Sequence, residues 1–228
     1  MMANTFYSTS ENLCAARKAN EKFSVMNYER TAKRALDLVL SFLLIPAILP
    51  VILVLYGLVK LSGGAGFYAH KRVGRGGRIF KCLKIRTMQH GAQARLQDLL
   101  RNDPNLRAEW RMRQKLKCDP RVTRFGRFLR QTNLDELPQI WNVIKGDMSL
   151  VGPRPVTMQE LHKYGDAHVA YEAVRPGITG LWQVSGRNEL SYQKRVELDE
   201  HYVRYLSFAG DLRILFKTIL KVLRPDGM

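Results

Sequence analysis

Apolar and polar positions alternate in distinct regimes along the chain. Residues 1–30 are mixed and polar, with no apolar core of their own, and read as a mobile N-terminal tail. Leu38 to Val59 is then 22 residues without a charge, with Ser41, Tyr56 and Gly57 as its few non-hydrophobic interruptions besides the prolines. The run begins too late and lasts too long for a secretory signal, and it is long enough to cross a bilayer. Pro46 and Pro50 lie near its middle, where each removes a helix N–H and crowds the carbonyl four residues back, favouring a break or sharp kink. Arg30, Lys33 and Arg34 precede the run, and Lys60, Lys71 and Arg72 follow it. Lys and Arg favour the cytoplasmic side, so both ends read as cytoplasmic. A re-entrant helix over 31–61 reconciles the prolines with the charges, provided its freed backbone groups find partners. A plain spanning helix and a buried soluble helix remain the alternatives.

Beyond residue 62 the pattern changes to short elements. Arg78 to Arg86 alternates as a strand, and the Gly-rich turn before it carries Gly74, Gly76 and Gly77. Leu96, Leu99, Leu100 and Leu106 share one face of a polar helix over 91–117, interrupted at Asn102-Asp103-Pro104. Arg121, Arg124, Arg127 and Arg130, at steps of three, form a basic stripe. Ser191 caps a helix to about Tyr205, and Asp211 caps another. That last helix sets Leu212, Leu215, Phe216, Ile219, Leu220 and Leu223 against Arg213, Lys217, Lys221 and Arg224. This pattern suits an interfacial helix on anionic lipid and equally an amphipathic helix on a soluble core. The fold class expected is mainly α with a small β element (α+β). It comprises the tail, the re-entrant helix and a membrane-associated catalytic domain over 62–228.

Composition narrows the partners. The 228 residues carry 37 Lys and Arg against 20 Asp and Glu, a net charge of +17, with 46% hydrophobic residues. That excludes a disordered tail and calls for an anionic partner. Between Gly66 and Arg130 there are 18 basic and 4 acidic residues, so most of the excess lies there. Cys14, Cys82 and Cys118 form no CxxC, which excludes a disulfide scaffold or zinc ribbon and fits a reducing cytosol. The five histidines show no metal-ligand spacing.

Candidate chemistry follows the basic block. Asp135 and Glu136 stand in Asn133-Leu134-Asp135-Glu136-Leu137-Pro138. Asn133 with Glu136 three residues on is a capping box, and Pro138 suits a first turn. A carboxylate at a helix N-terminus amid arginines is also held ionised, as a nucleophile or metal ligand requires. Adjacent helix positions diverge by about 100°, so one acid can attack phosphorus while the other holds a divalent cation. Arg154 lies between Pro153 and Pro155, and Arg175 opens a second Arg-Pro-Gly loop through Pro176, Gly177 and Thr179. A backbone-fixed arginine suits bidentate phosphate binding.

Seven ordered blocks resemble the bacterial sugar transferase family, the monotopic polyprenyl-phosphate phosphoglycosyl transferases. They are Lys33-Arg34-x-x-Asp37, Phe80 to Met88, Asp119 to Thr123, Leu134 to Gln139, Met148 to Pro155, Arg175 to Gly180 and Asp211 to Leu215. The length resembles the small catalytic-only form, closest in look to exopolysaccharide-starting enzymes that use UDP-galactose or UDP-glucose. The resemblance implies transfer of a hexose 1-phosphate from a UDP-sugar to undecaprenyl phosphate, with release of UMP and assistance by Mg²⁺. It implies that Asp135 is the nucleophile, forming a phosphosugar ester, and that Glu136 ligates the metal with it. Lys84, Arg86, Arg154, Arg175, Pro176, Gly177 and Thr179 are implied as substrate-binding residues, and Pro46 and Pro50 as the helix break. Family members often carry Ser-Pro at that break. Here Leu49-Pro50 and an extra Pro46 stand there, leaving the freed backbone to other groups. The expected location is the cytoplasmic face of the bacterial inner membrane, with anionic lipid as a further partner and no nucleic acid. A non-catalytic, membrane-tethered basic binding protein and a glycosyltransferase releasing UDP are the competing readings.

Overall fold

The computed structural model describes residues 28–61, 65–113, 116–186 and 190–223. Most of the tail expected over 1–30 therefore lies outside the described residues. Its last residues are held: a π-helical turn spans Tyr28–Ala32, and the Tyr28 hydroxyl donates to Asp211 Oδ2 at 2.8 Å. Among the described residues the structure is mostly helical with two small two-stranded sheets. Its described residues fall into two compact units. One lies within Met1–Leu44, Lys71–Phe80 and Ile140–Met228, the other within Ile45–His70 and Lys81–Gln139.

Helix α1 (Lys33–Leu61) contributes to both units and is, among the described residues, the one helix long and apolar enough to cross a membrane. The break expected at Pro46 and Pro50 does not interrupt it: helical structure continues through both prolines. A proline deletes only its own N–H, and the neighbouring hydrogen bonds carry the helix across the gap. Within the first unit, Lys33, Asp37 and Ser41 repeat every four residues and form a buried polar stripe. Lys33 Nζ donates to Asp211 Oδ2 at 2.6 Å, and Asp37 Oδ1 accepts from Ser149 Oγ and the Leu150 N–H. Arg34 donates to the carbonyls of Val143 and Ile144. Phe42, Leu43, Leu53 and Val54 are exposed, an arrangement that favours lipid over water around them.

The first unit is built around Val73, Val156, Leu161, Tyr164, Tyr171 and Val196. The Tyr171 hydroxyl donates to the Val73 carbonyl and accepts from the Val156 N–H, so the ring is buried with its polar end satisfied. Strands β1 (Phe67–Val73) and β2 (Ile79–Ile85) pair across the glycine turn, where Gly76 and Gly77 have φ of 66° and 73°. The interrupted polar helix appears as α2 (Ala92–Asn102) and α3 (Pro104–Arg113), with Asp103 Oδ1 accepting from the Asn105 and Leu106 N–H groups.

Candidate active site

The acidic pair is set up within the second unit. Helix α4 (Arg124–Gln131) starts on Thr123, whose hydroxyl accepts from the Gly126 N–H at 2.8 Å. The Thr123 N–H donates to the Thr87 carbonyl, and Met88 pairs with Val122, so the exit of β2 is stapled to the start of α4. A Cβ on Gly126 would stand 2.1 Å from the Thr87 carbonyl oxygen, so only glycine permits this approach. The chain then turns at Asn133 (φ 56°) into a 3₁₀ turn, Leu134–Glu136. Leu134 and Leu137 pack on Ile52, Leu55, Val59, Ile85 and Leu129, and thereby anchor the turn on both sides of the acids.

The expected capping box is not formed. Asn133 is left-handed, without a side-chain cap bond, and Glu136 instead accepts from Lys84 Nζ at 2.6 Å. A lysine on the neighbouring strand outcompetes one local N–H for the carboxylate because it brings a full charge. Asp135 is 7% exposed. Burial is the largest influence on its carboxyl and pushes its pKa above the ordinary value. Lys84 pulls it back, Glu136 raises it further, and Arg130 pulls it down. Desolvation thus outweighs the surrounding cations in the direction of the shift. Arg130 Nε donates to Thr87 Oγ1 at 2.9 Å. Arg86, two residues along from Lys84, keeps a buried Nε without a hydrogen-bond partner, a donor available to an oxyanion.

The basic stripe is only partly a helix face. Arg124, Arg127 and Arg130 lie on α4, whereas Arg121 precedes it, 4% exposed. Arg121 binds Asp119 bidentately, through Nε to Oδ1 (2.8 Å) and Nη2 to Oδ2 (2.6 Å).

The remaining predicted residues belong to the first unit. Strands β3 (Ser149–Val151) and β4 (Gly177–Thr179) run parallel, pairing Ser149 with Gly177 and Val151 with Thr179. The two arginine loops that the sequence presents separately are therefore neighbours. Ser149 N–H donates to Pro176, Gly152 N–H to Thr179 and Gly177 N–H to Pro153. Gly177 is a packing requirement, since its Cβ would stand 2.1 Å from the Gly152 nitrogen. Pro176 and Gly177 are buried, and the Thr179 hydroxyl pairs with that of Thr218 at 2.7 Å. Arg175 Nε donates to the Gly146 carbonyl at 3.0 Å. Arg154 lies 5.9 Å over the ring of Trp182, in α8 (Leu181–Ser185).

Asp211 is not the cap of the last helix. That helix, α10 (Phe208–Leu223), begins three residues earlier, and the Asp211 carboxylate is fully buried against Lys33, Tyr28 and Tyr202. Ser207 takes the capping position, its hydroxyl accepting from the Gly210 N–H. Ser191 does cap α9 (Tyr192–Arg204). On α10, Leu212, Phe216, Ile219 and Leu220 are exposed while Ile214 is buried. The apolar face is therefore turned outward, away from the unit's core.

Mg²⁺ is compatible with the dyad. It is a hard cation that takes one or two carboxylates and completes its shell with water and substrate phosphate. Asp135 and Glu136 supply such oxygens beside Lys84. No third His, Cys, Asp or Glu joins them among the described residues.

The sequence model described as bacterial sugar transferase matches residues 28–225, and the chain belongs to that family. It is 52% identical over 198 residues to the UDP-galactose-lipid carrier transferase of Erwinia amylovora, covering 87% of this chain and 42% of that protein. It is 50% identical over 198 residues to the undecaprenyl-phosphate galactose phosphotransferase of Salmonella typhimurium, with the same coverage. It is also 50% identical over 197 residues to the exopolysaccharide production protein ExoY of Sinorhizobium fredii, covering 86% of this chain and 87% of that one. The chain thus spans less than half the length of the first two relatives.

Proposed function

We propose that this protein is a phosphoglycosyl transferase that moves a hexose 1-phosphate, galactose or glucose, from a UDP-sugar to undecaprenyl phosphate in exopolysaccharide synthesis. Buried Asp135, flanked by Lys84 and Glu136 on an apolar-anchored turn, is the observation that carries the reading. The Asp135 carboxylate attacks the β-phosphorus of the UDP-sugar, a P–O bond forms, and the bond to the bridging oxygen breaks to release UMP. A phosphate oxygen of undecaprenyl phosphate then attacks the same phosphorus, and the bond to Asp135 breaks. Splitting the transfer means the two anionic substrates need not meet in one step. Lys84 and Arg86 offset charge on the transferring phosphoryl group. Arg154 and Arg175, with the Pro176–Thr179 stretch, serve phosphate or uridine. Asp135 and Glu136 would hold Mg²⁺, which when bound neutralises phosphate charge.

The setting is the cytoplasmic face of the bacterial inner membrane. Helix α1 dips into the bilayer with both basic ends on the cytoplasmic side, bending without a break where Pro46 and Pro50 each remove an N–H, and the outward apolar face of α10 lies at the headgroup level on anionic lipid. Incubation of detergent-solubilised protein with UDP-galactose or UDP-glucose and Mg²⁺ tests the reaction. UMP release and a phosphosugar adduct on Asp135 are expected, and Asp135→Asn abolishes both. Full turnover by Asp135→Asn defeats the mechanism, and release of UDP in place of UMP defeats the reaction class.

A further inference from the structure

Arg154 belongs to a larger assembly in the first unit that the reaction above leaves unexplained. Held between Pro153 and Pro155, it lies 5.9 Å over the Trp182 ring. Arg195, on α9, lies 4.8 Å over the same ring. Trp182 is buried, whereas both arginines remain partly exposed. One helical turn beyond Arg195 is Asp199, 2% exposed. One of its oxygens accepts from the Tyr164 hydroxyl at 2.9 Å, and the other is buried without a partner. Arg195 Nε is likewise buried and unpartnered.

Two guanidinium groups over one indole repel each other, and idle buried donors and acceptors are costly in a core that serves packing alone. The same features suit a binding device. An indole face fixes the plane of a guanidinium, and the N–H edge of that plane is the fork that meets a phosphate bidentately. We infer that Trp182 and Asp199 hold Arg154 and Arg195 as a two-armed grip for a phosphate group of the anionic substrates, with Asp199 as the positioning residue for both arms. The inference rests on the phosphosugar-transfer reading and extends it to Arg195, Trp182 and Asp199. The phosphate is either the diphosphate of the nucleotide sugar or the monoester of the polyprenyl carrier, since both present the same oxygens.

Asp199 also makes the grip sensitive to pH. Burial pushes its carboxyl up to about 7, with the Tyr164 hydroxyl, Arg154 and Arg195 pulling the other way. Tyr171 on α7 (His168–Ala173) and Tyr192 on α9 also face this carboxyl; burial raises the pKa of each of Tyr164, Tyr171 and Tyr192, so all three stay neutral near pH 7. Above about pH 7 Asp199 is anionic and draws both arginines in. Below it, the neutral acid leaves the two cations to separate.

The test uses the full chain in nanodiscs. UMP release is titrated with UDP-galactose, UDP-glucose and undecaprenyl phosphate from pH 6 to 8. Binding of UDP and of undecaprenyl phosphate is measured separately, without turnover. Arg195→Gln is expected to weaken binding, and raise KM, about tenfold for the phosphate it grips, with a smaller change in kcat. Arg195→Lys retains part of the affinity. Asp199→Asn raises the same KM and removes its change with pH. A change confined to UDP-sugar assigns the grip to the donor, and one confined to undecaprenyl phosphate assigns it to the acceptor; either supports it. Arg195→Gln with wild-type unfolding and both affinities unchanged overturns it, even if Asp199→Asn fails to fold. Wild-type protein that releases no UMP counts against the transfer reading alone, because the binding arms still decide the grip.

Discussion

Lys84 bonds one carboxylate of the dyad and tunes the other. Its ammonium is 2.6 Å from Glu136 Oε1, and its charge lowers the pKa of Asp135, which burial and Glu136 raise. A nucleophilic Asp135 must be ionised, so activity is lost as pH falls through its elevated pKa. Lys84→Met removes the lowering influence and is expected to move the acid limb of the pH–rate profile upward. Glu136→Gln removes a raising influence and moves the limb downward. Single-turnover UMP release against pH reads both, and limbs that stay in place in both variants refute the coupling. The adjacent acids were legible in the sequence because paired carboxylates are rare in so basic a stretch. Their partner was not, because Lys84 and Glu136 are 52 positions apart and meet only where the fold brings β2 against the 3₁₀ turn. Arg195 and Asp199 escaped for a similar reason: four positions apart on a helix they read as a solvated pair, and only the fold buries Asp199 and sets Arg195 over Trp182.

Elements were legible where local chemistry ends them. Ser191 starts α9, and Asp103-Pro104 divides α2 from α3, because a side-chain oxygen or a missing N–H acts over one turn. Strands β3 and β4 are three residues each, too short to show a period of two, and their parallel pairing is a tertiary fact. Asp211 resembles a cap from its place near the start of an apolar helix, yet its three side-chain partners outweigh that local role. At Gly126 the element boundary depends on backbone contact itself. Gly126→Ala sets a methyl against the Thr87 carbonyl and is expected to cost about 1–3 kcal/mol, as overpacking does. Thermal unfolding measures it, and a wild-type midpoint would show that α4 can shift to admit the methyl.

Across the whole molecule, the proposal of an enzyme seated on an anionic surface draws on the charge of +17 and the apolar α1. With basic residues at both ends of α1, the re-entrant arrangement predicts that cysteines placed before Arg30 and after Lys71 are labelled from the same, cytoplasmic side. Pro46→Ala with Pro50→Ala restores the two missing N–H donors, stiffens the helix and is expected to move a fraction of molecules to opposite-side labelling. Opposite-side labelling of the otherwise unaltered chain would establish a spanning helix. The long apolar helix was plain in the sequence because length and absence of charge need no tertiary context, whereas its uninterrupted passage through two prolines was not. The buried ion pair of Lys33 with Asp211 joins residues 178 positions apart. On the ribosome, α1 is made long before Asp211, so Lys33 waits without its carboxylate while the intervening chain emerges. Closure of that unit awaits synthesis of residue 211, and a nascent chain stalled before it has no carboxylate with which to complete the first unit.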